Sequence, residues 1–147
     1  MKLISACLLG IKCRYDGKYK PCPKAIALFK KGILIPVCPE QLGGLPTPRV
    51  PAEIQGGNGE KVIQGVSKLL NKNGHDVTSN FLKGANEALK IAKITNTKEF
   101  IGKSKSPSCG LGRTYNGSFT GTLVQGDGVT VALFKKNGIS VISENDL

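Results

Sequence analysis

Five cysteines and one histidine, Cys7, Cys13, Cys22, Cys38, Cys109 and His75, bound the chemistry open to this chain. Cys109 stands in "SKSPSCGLG", between serine, proline and glycine, where neither a helix nor a strand interior is expected. Cys7 closes "KLISAC", Cys38 closes "ILIPVC" ahead of Pro39 and Glu40, and Cys13 opens "CRYDG". Pattern separates the uses of a thiol. An odd count cannot pair completely, and the chain reads as cytoplasmic, so ligands or nucleophiles are expected before disulfides. Zinc sites set two ligands on one turn through a CxxC knuckle, which this sequence lacks, so zinc is not favoured. A cysteine nucleophile needs a base, and His75 in "NGHDVT" is the sole histidine. An iron–sulfur cluster accepts thiolates from separate loops flanked by glycine and proline, which "CPE" and "SPSCG" provide.

Thiols so far apart in sequence meet only if the fold gathers the ends of several strands. "KLISACLLG" reads as a strand ending at Cys7 and turning at Gly10. "CPKAIALFKKG" reads as a helix with Gly32 just past its end, and "GILIPVC" as a buried strand ending at Cys38. Strand, helix and strand in this order predict a right-handed unit with a parallel strand pair. Residues 39–60, rich in proline and glycine, read as a long functional loop, and 61–78 as a small hairpin or edge element. Helical spacing of Phe81, Leu82, Ala85, Ala88, Leu89 and Ala92 predicts a helix over 78–93, with Thr78 as its N-cap. "EFIGK" is a strand that delivers the chain into "SKSPSCG". A turn-rich "RTYNGSFTG", a helix in "GVTVALFKKNG" capped by Gly138, and a last strand "ISVIS" complete the chain.

The expected fold is therefore α/β, a single compact domain over residues 1–147 with a mainly parallel sheet and flanking helices. Its cysteine site lies at the carboxyl ends of the strands, where open α/β sheets form crevices. Cys7, Cys38 and Cys109 are expected there. Cys13 can fold back beside them, while Cys22, among prolines at a helix start, is expected only to pack.

Composition narrows the partners. Charged residues make up 21% and the net charge is +11, a field that attracts anions without defining a nucleic-acid reader. A basic solvated surface and RNA contact weigh equally on charge alone, but 5% aromatic residues and no tryptophan argue against a stacking platform. No apolar run approaches the length that spans a bilayer, and the short run around Cys7 is not expected to be a cleaved leader. Nothing in the composition assigns an oligomeric state.

The segments "SACLLG", "CRYDG", "CPE", "GGLPTPRVPAEI", "GHDVTSNFLKGA", "KSKSPSCG" and "GSFTG" resemble, in order and almost end to end, the family long filed as domain of unknown function 523. Its characterised branch comprises the thiouracil desulfidases. The resemblance implies a 4Fe-4S cluster held by Cys7, Cys38 and Cys109, with Cys13 as the alternative ligand, and one iron not bound by protein. It implies non-redox desulfuration of thiouracil or a related thiolated nucleobase with release of sulfide, in the cytoplasm. Glu40 is then the candidate general base. Ser106 and Ser108 are candidates to hydrogen-bond substrate or cluster sulfur, or else to hold their turn. Lys103, Lys105, Arg14 and Arg49 could balance charge. The partner is a small molecule, with nucleic acid admissible but not required and no membrane. Two other readings remain in view: a cluster-binding protein without turnover, and an RNA-binding module for thiolated tRNA.

Overall fold

In the computed structural model, which describes residues 1–19 and 21–147, four short aliphatic runs form one parallel sheet. They are β1 (Lys2–Ser5), β2 (Leu34–Val37), β5 (Glu99–Gly102) and β8 (Ser140–Ser143), in the spatial order β2-β1-β5-β8. Leu3 lies opposite Ile35 on one side and Phe100 on the other. Pro36 is tolerated because β2 is an edge strand and needs no outward N–H bond. The chain leaves β1 toward β2 and later returns across it to β5 and β8. The winding direction therefore switches between β1 and β5, the place where such sheets open a crevice beyond their carboxyl ends.

Side-chain alternation covers both faces, as a parallel sheet requires. Leu3 and Phe100 turn to one face, where they pack with Ala88 and Ala92 of α4 (Thr78–Ile94) and Phe134 of α5 (Val129–Lys136). Phe100 meets Phe134 edge to face, with ring centroids 5.1 Å apart. Ile4 and Ile101 turn to the other face with Leu8, Leu34 and Ala25 of α1 (Pro23–Lys30). None of the described helices is long and apolar enough to cross a membrane. Lys20, one member of the basic group "KYKPCPK", lies outside the described residues.

Several local expectations are corrected. β1 stops at Ser5, and Cys7 sits inside a 3-10 turn over Ala6–Leu9 rather than at the strand end. The stretch expected as one long loop contains α2 (Pro39–Leu42) and β3 (Ala52–Gln55). The segment expected as a small hairpin or edge element begins inside an unexpected helix, α3 (Gly59–Ile63), and then is such an element: β4 (Lys68–Asn71) pairs antiparallel with β3, and Leu70 bridges Asp76 antiparallel. Thr78 does not cap α4. Its hydroxyl accepts the N–H of Leu69 at 2.9 Å, while Asp76 Oδ1 accepts the N–H of Thr78 at 2.9 Å. The turn-rich stretch also opens with a strand, β6 (Arg113–Tyr115), which pairs antiparallel with β7 (Leu123–Gln125) just beyond it.

Two glycines seat α2 against α4. A Cβ on Gly84 would fall on the carbonyl of Pro39, and one on Gly43 would fall on the carbonyl of Asn80. Asn80 Nδ2 locks the contact by donating to the Gly43 carbonyl at 2.9 Å. Alanine in place of Gly84 gains ~1 kcal/mol of helix propensity. It must also push two backbones apart, and overpacking of that kind costs ~1–3 kcal/mol or more. Gly84→Ala is expected to lower the urea midpoint. A raised midpoint would show that the two helices are not in backbone contact.

Candidate active site

The segments after β1, β2 and β5 each hand a thiol to the crevice. After β1 the 3-10 turn presents Cys7, and Gly10, at φ 91, reverses the chain so that Cys13 returns alongside. β2 passes directly to Cys38, the residue preceding α2. After β5 the chain turns about Ser106, whose Oγ accepts the N–H groups of Ser108 at 3.1 Å and Cys109 at 3.0 Å. Gly102 permits this turn, because a Cβ there would strike the carbonyl of Cys109.

Cys7, Cys13, Cys38 and Cys109 line one cavity of about 790 Å³ together with Glu40, Arg49 and Ser106. The expected trio is thus brought together, and Cys13 joins it. Cys22 is not among the lining residues; it precedes α1, where its N–H donates to the Leu8 carbonyl at 2.8 Å. Ser108 does not line the cavity either. Its hydroxyl is fully buried and pairs with that of Thr130 at 2.8 Å, tying the Cys109 turn to the first turn of α5.

The thiols perturb one another. Cys38 donates toward Cys13 and favours its thiolate, but the Cys7 thiol and burial outweigh this and push Cys13 up to about 11. Cys38 is raised by its bond to Cys13 and by burial. Burial pushes Cys109 up to about 12, against the opposing influence of the Ser5 and Ser108 hydroxyls. Without a bound cation, these groups are held as thiols at neutral pH. Among the described residues, no three His, Cys, Asp or Glu side chains converge closely enough to hold a single metal ion.

Arg49 binds the cavity wall together. Its side chain is 6% exposed, and its Nη2 and Nε reach Glu40 Oε2 at 2.8 and 3.1 Å. Nη2 also donates to the Cys13 carbonyl at 3.1 Å, and Nη1 donates to the Pro46 carbonyl and Thr47 Oγ1, both at 3.2 Å. One guanidinium thereby holds the Cys13 loop, the start of α2 and the proline-rich loop in register. Arg14, which also lines the cavity, is 3.7 Å from Asp16 and lies over the ring of Tyr15.

A second polar cluster was not anticipated from the sequence. Ser104, on the cavity wall, donates its hydroxyl to Glu144 Oε1 at 2.6 Å and its N–H to Oε2 at 2.8 Å. Lys103 Nζ lies 3.2 Å from the same carboxylate. Lys105 also lines the cavity, with φ 67. Three serines crowd "SKSPSC", and pattern does not say which faces inward; Glu144 lies far away in sequence. Burial works against the Glu144 carboxylate, but Ser104 and Lys103 prevail and hold it below the usual glutamate range. A depressed folded pKa gives stability that is present above the unfolded value of about 4.3 and lost as pH falls through the folded value. Urea melts are therefore expected to show a wild-type advantage over Glu144→Gln at about pH 7 that shrinks by about pH 3. An advantage unchanged with pH would contradict the linkage.

Comparison with known proteins places the chain in a family and matches its fold. The profile of the 2-thiouracil desulfurase family matches residues 3–146. The chain is 48% identical over 147 residues to the uncharacterized protein YbbK of Bacillus subtilis (strain 168), covering 100% of this chain and 97% of that one. Its fold is similar to the solved structure of the [4Fe-4S]-dependent thiouracil desulfidase TudS, with a TM-score of 0.87 and 42% identity over 99% of this chain and 91% of the other. The chain is thus a member of an enzyme family, as its motifs suggested: it belongs to the 2-thiouracil desulfurase family.

Proposed function

We propose that this chain hydrolyses the carbon–sulfur bond of thiouracil, or a closely related thiolated nucleobase, using a 4Fe-4S cluster held by Cys7, Cys38 and Cys109. The observation that carries this reading is the meeting of strand-end thiols in one cavity with a single carboxylate–guanidinium pair. The donor set fits the group. It is all sulfur and drawn from separate loops, the kind of set that can place its thiolates on different corners of a cluster. The TudS relative, described as [4Fe-4S]-dependent, supports the same assignment. When bound through three thiolates, the cluster supplies an open, sulfur-seeking Lewis-acid position for the substrate's sulfur.

The chain's own residues carry the proton work and the positioning. Water adds to the ring carbon, sulfide departs, and the ring regains a carbonyl, so no electrons are gained or lost. Arg49 engages Glu40 through Oε2, which leaves Oε1 to take the proton from the attacking water. Ser106 accepts two backbone N–H groups and keeps its own O–H to donate into the cavity. Ser108 acts through Cys109, where its hydroxyl favours the thiolate form. Cys13 stays a fourth thiol on the wall, beside the ligands rather than among them. A reducing cytoplasm suits five free cysteines.

The test is anaerobic reconstitution with iron and sulfide, desalting, and incubation with 2-thiouracil in the absence of reductant. Equal amounts of uracil and sulfide are expected. Full iron uptake with no sulfide release would instead identify a cluster-binding protein without turnover.

A further inference from the structure

Phe119 holds φ 59, in the left-handed region that glycine favours and a bulky aromatic residue rarely enters. Such a conformation persists only where its surroundings impose it. Here the agent is Glu53 of β3, only 9% exposed, whose Oε1 accepts the N–H of Gly117 at 2.9 Å and the N–H of Phe119 at 3.2 Å. Gln55, two residues along the same strand, donates to the Gly117 carbonyl at 3.0 Å. The loop between β6 and β7 is thus pinned to β3 from two sides. Phe119 and Glu53 both line the cavity that holds the four thiols.

Glu53 has capacity to spare. Both loop N–H groups go to Oε1, and among the described residues no protein donor reaches Oε2. An aromatic ring and an unclaimed carboxyl oxygen therefore share the cavity with the sulfur-rich end. 2-Thiouracil is a flat ring with its sulfur on the carbon between two nitrogens, each of which carries an N–H donor. Its sulfur belongs at the thiols, its face suits stacking on an aromatic side chain, and its ring N–H needs an acceptor.

From this juxtaposition we infer that Phe119 and Glu53 form the base-reading wall of the site: Phe119 stacks on the ring of the thiolated pyrimidine, and Glu53 Oε2 accepts a ring N–H. The inference rests on the desulfuration reading above and adds the residues that select the substrate. Both are positioning residues, and the strained loop is the device that presents them.

Phe119→Gly separates this role from packing, because glycine accepts the left-handed backbone without strain while removing the ring. In the reconstituted enzyme it is expected to melt no lower than wild type, to raise the KM for 2-thiouracil about tenfold, and to leave kcat within about twofold. Glu53→Gln keeps an oxygen for the loop but can place an N–H₂ group at the open corner. Wild type is expected to prefer 2-thiouracil over its 1-methyl or 3-methyl derivative by at least about tenfold, and Glu53→Gln to lose that preference. If wild type turns over 2-thiouracil while Phe119→Gly keeps its KM, or Glu53→Gln keeps the N-methyl discrimination, the inference fails and the desulfuration reading stands. If wild type releases no sulfide from any of the three compounds, both fail together.

Discussion

Alanine at Cys7, Cys38 or Cys109 is expected to abolish the visible absorption of the reconstituted protein and to reduce sulfide release to background, whereas alanine at Cys13 or Cys22 leaves the absorption in place. The three proposed ligand positions follow the ends of β1, β2 and β5, which are neighbours in one parallel sheet and therefore fixed relative to one another. Cys13 lies on the loop beyond Gly10, and its carbonyl is held by Arg49 rather than by a strand. Cys22 does not line the cavity. Because its bond to Cys13 and burial raise the cluster-free Cys38 thiol, and burial raises that of Cys109, loading must displace protons, and uptake should be faster at higher pH. The measurement is iron and sulfide content with absorption for each variant, alongside circular dichroism to show that the fold persists. Retention in the Cys7 variant with loss in the Cys13 variant would move the third ligand to the loop and remove the strand-end rule.

The sequence made the sheet legible because its strands are nearly continuous aliphatic runs buried on both faces, as in "KLIS" and "EFIG". The same property pointed to the candidate cavity, since a thiol just beyond such a run falls at the carboxyl edge. What escaped was the smaller β3–β4 ladder. Ala52, Glu53, Ile54 and Gln55 turn little apolar surface inward, and the prolines before them read as loop. Glu53 was lost along with it: a carboxylate has no visible purpose until β3 is seen beneath the loop that carries Phe119. Ser104 and Glu144 escaped for a different reason. They are 40 positions apart, and only the pairing of β5 with β8 brings them into contact. Cys13 was placed in the right neighbourhood by its spacing from Cys7, but its contact with Cys38 depends on the 3-10 turn that replaced the expected strand end.

Substitution of the Glu40–Arg49 pair should separate catalysis from stability. The Glu40→Gln variant keeps a side-chain oxygen for Arg49, so the fold loses little. The free corner no longer takes a proton, and kcat is expected to fall by ~10²–10⁴, the usual worth of a positioned base. Arg49→Met behaves in the opposite way. It strips a largely buried carboxylate of its guanidinium partner and releases the carbonyls of Cys13 and Pro46, so a loss of ~3–5 kcal/mol is expected. Arg49→Lys should recover only part of this, since a single ammonium cannot match the guanidinium fork that spans Glu40 and Cys13. The double variant discriminates most sharply. With Glu40→Gln in place, no uncompensated carboxylate remains when Arg49 is removed, so Glu40→Gln/Arg49→Met is expected to be more stable than Arg49→Met alone while as inactive as Glu40→Gln. Additive stability losses in urea melts would mean that Arg49 serves the loops and not the carboxylate. Equal turnover by wild type and Glu40→Gln would take the proton from this residue altogether.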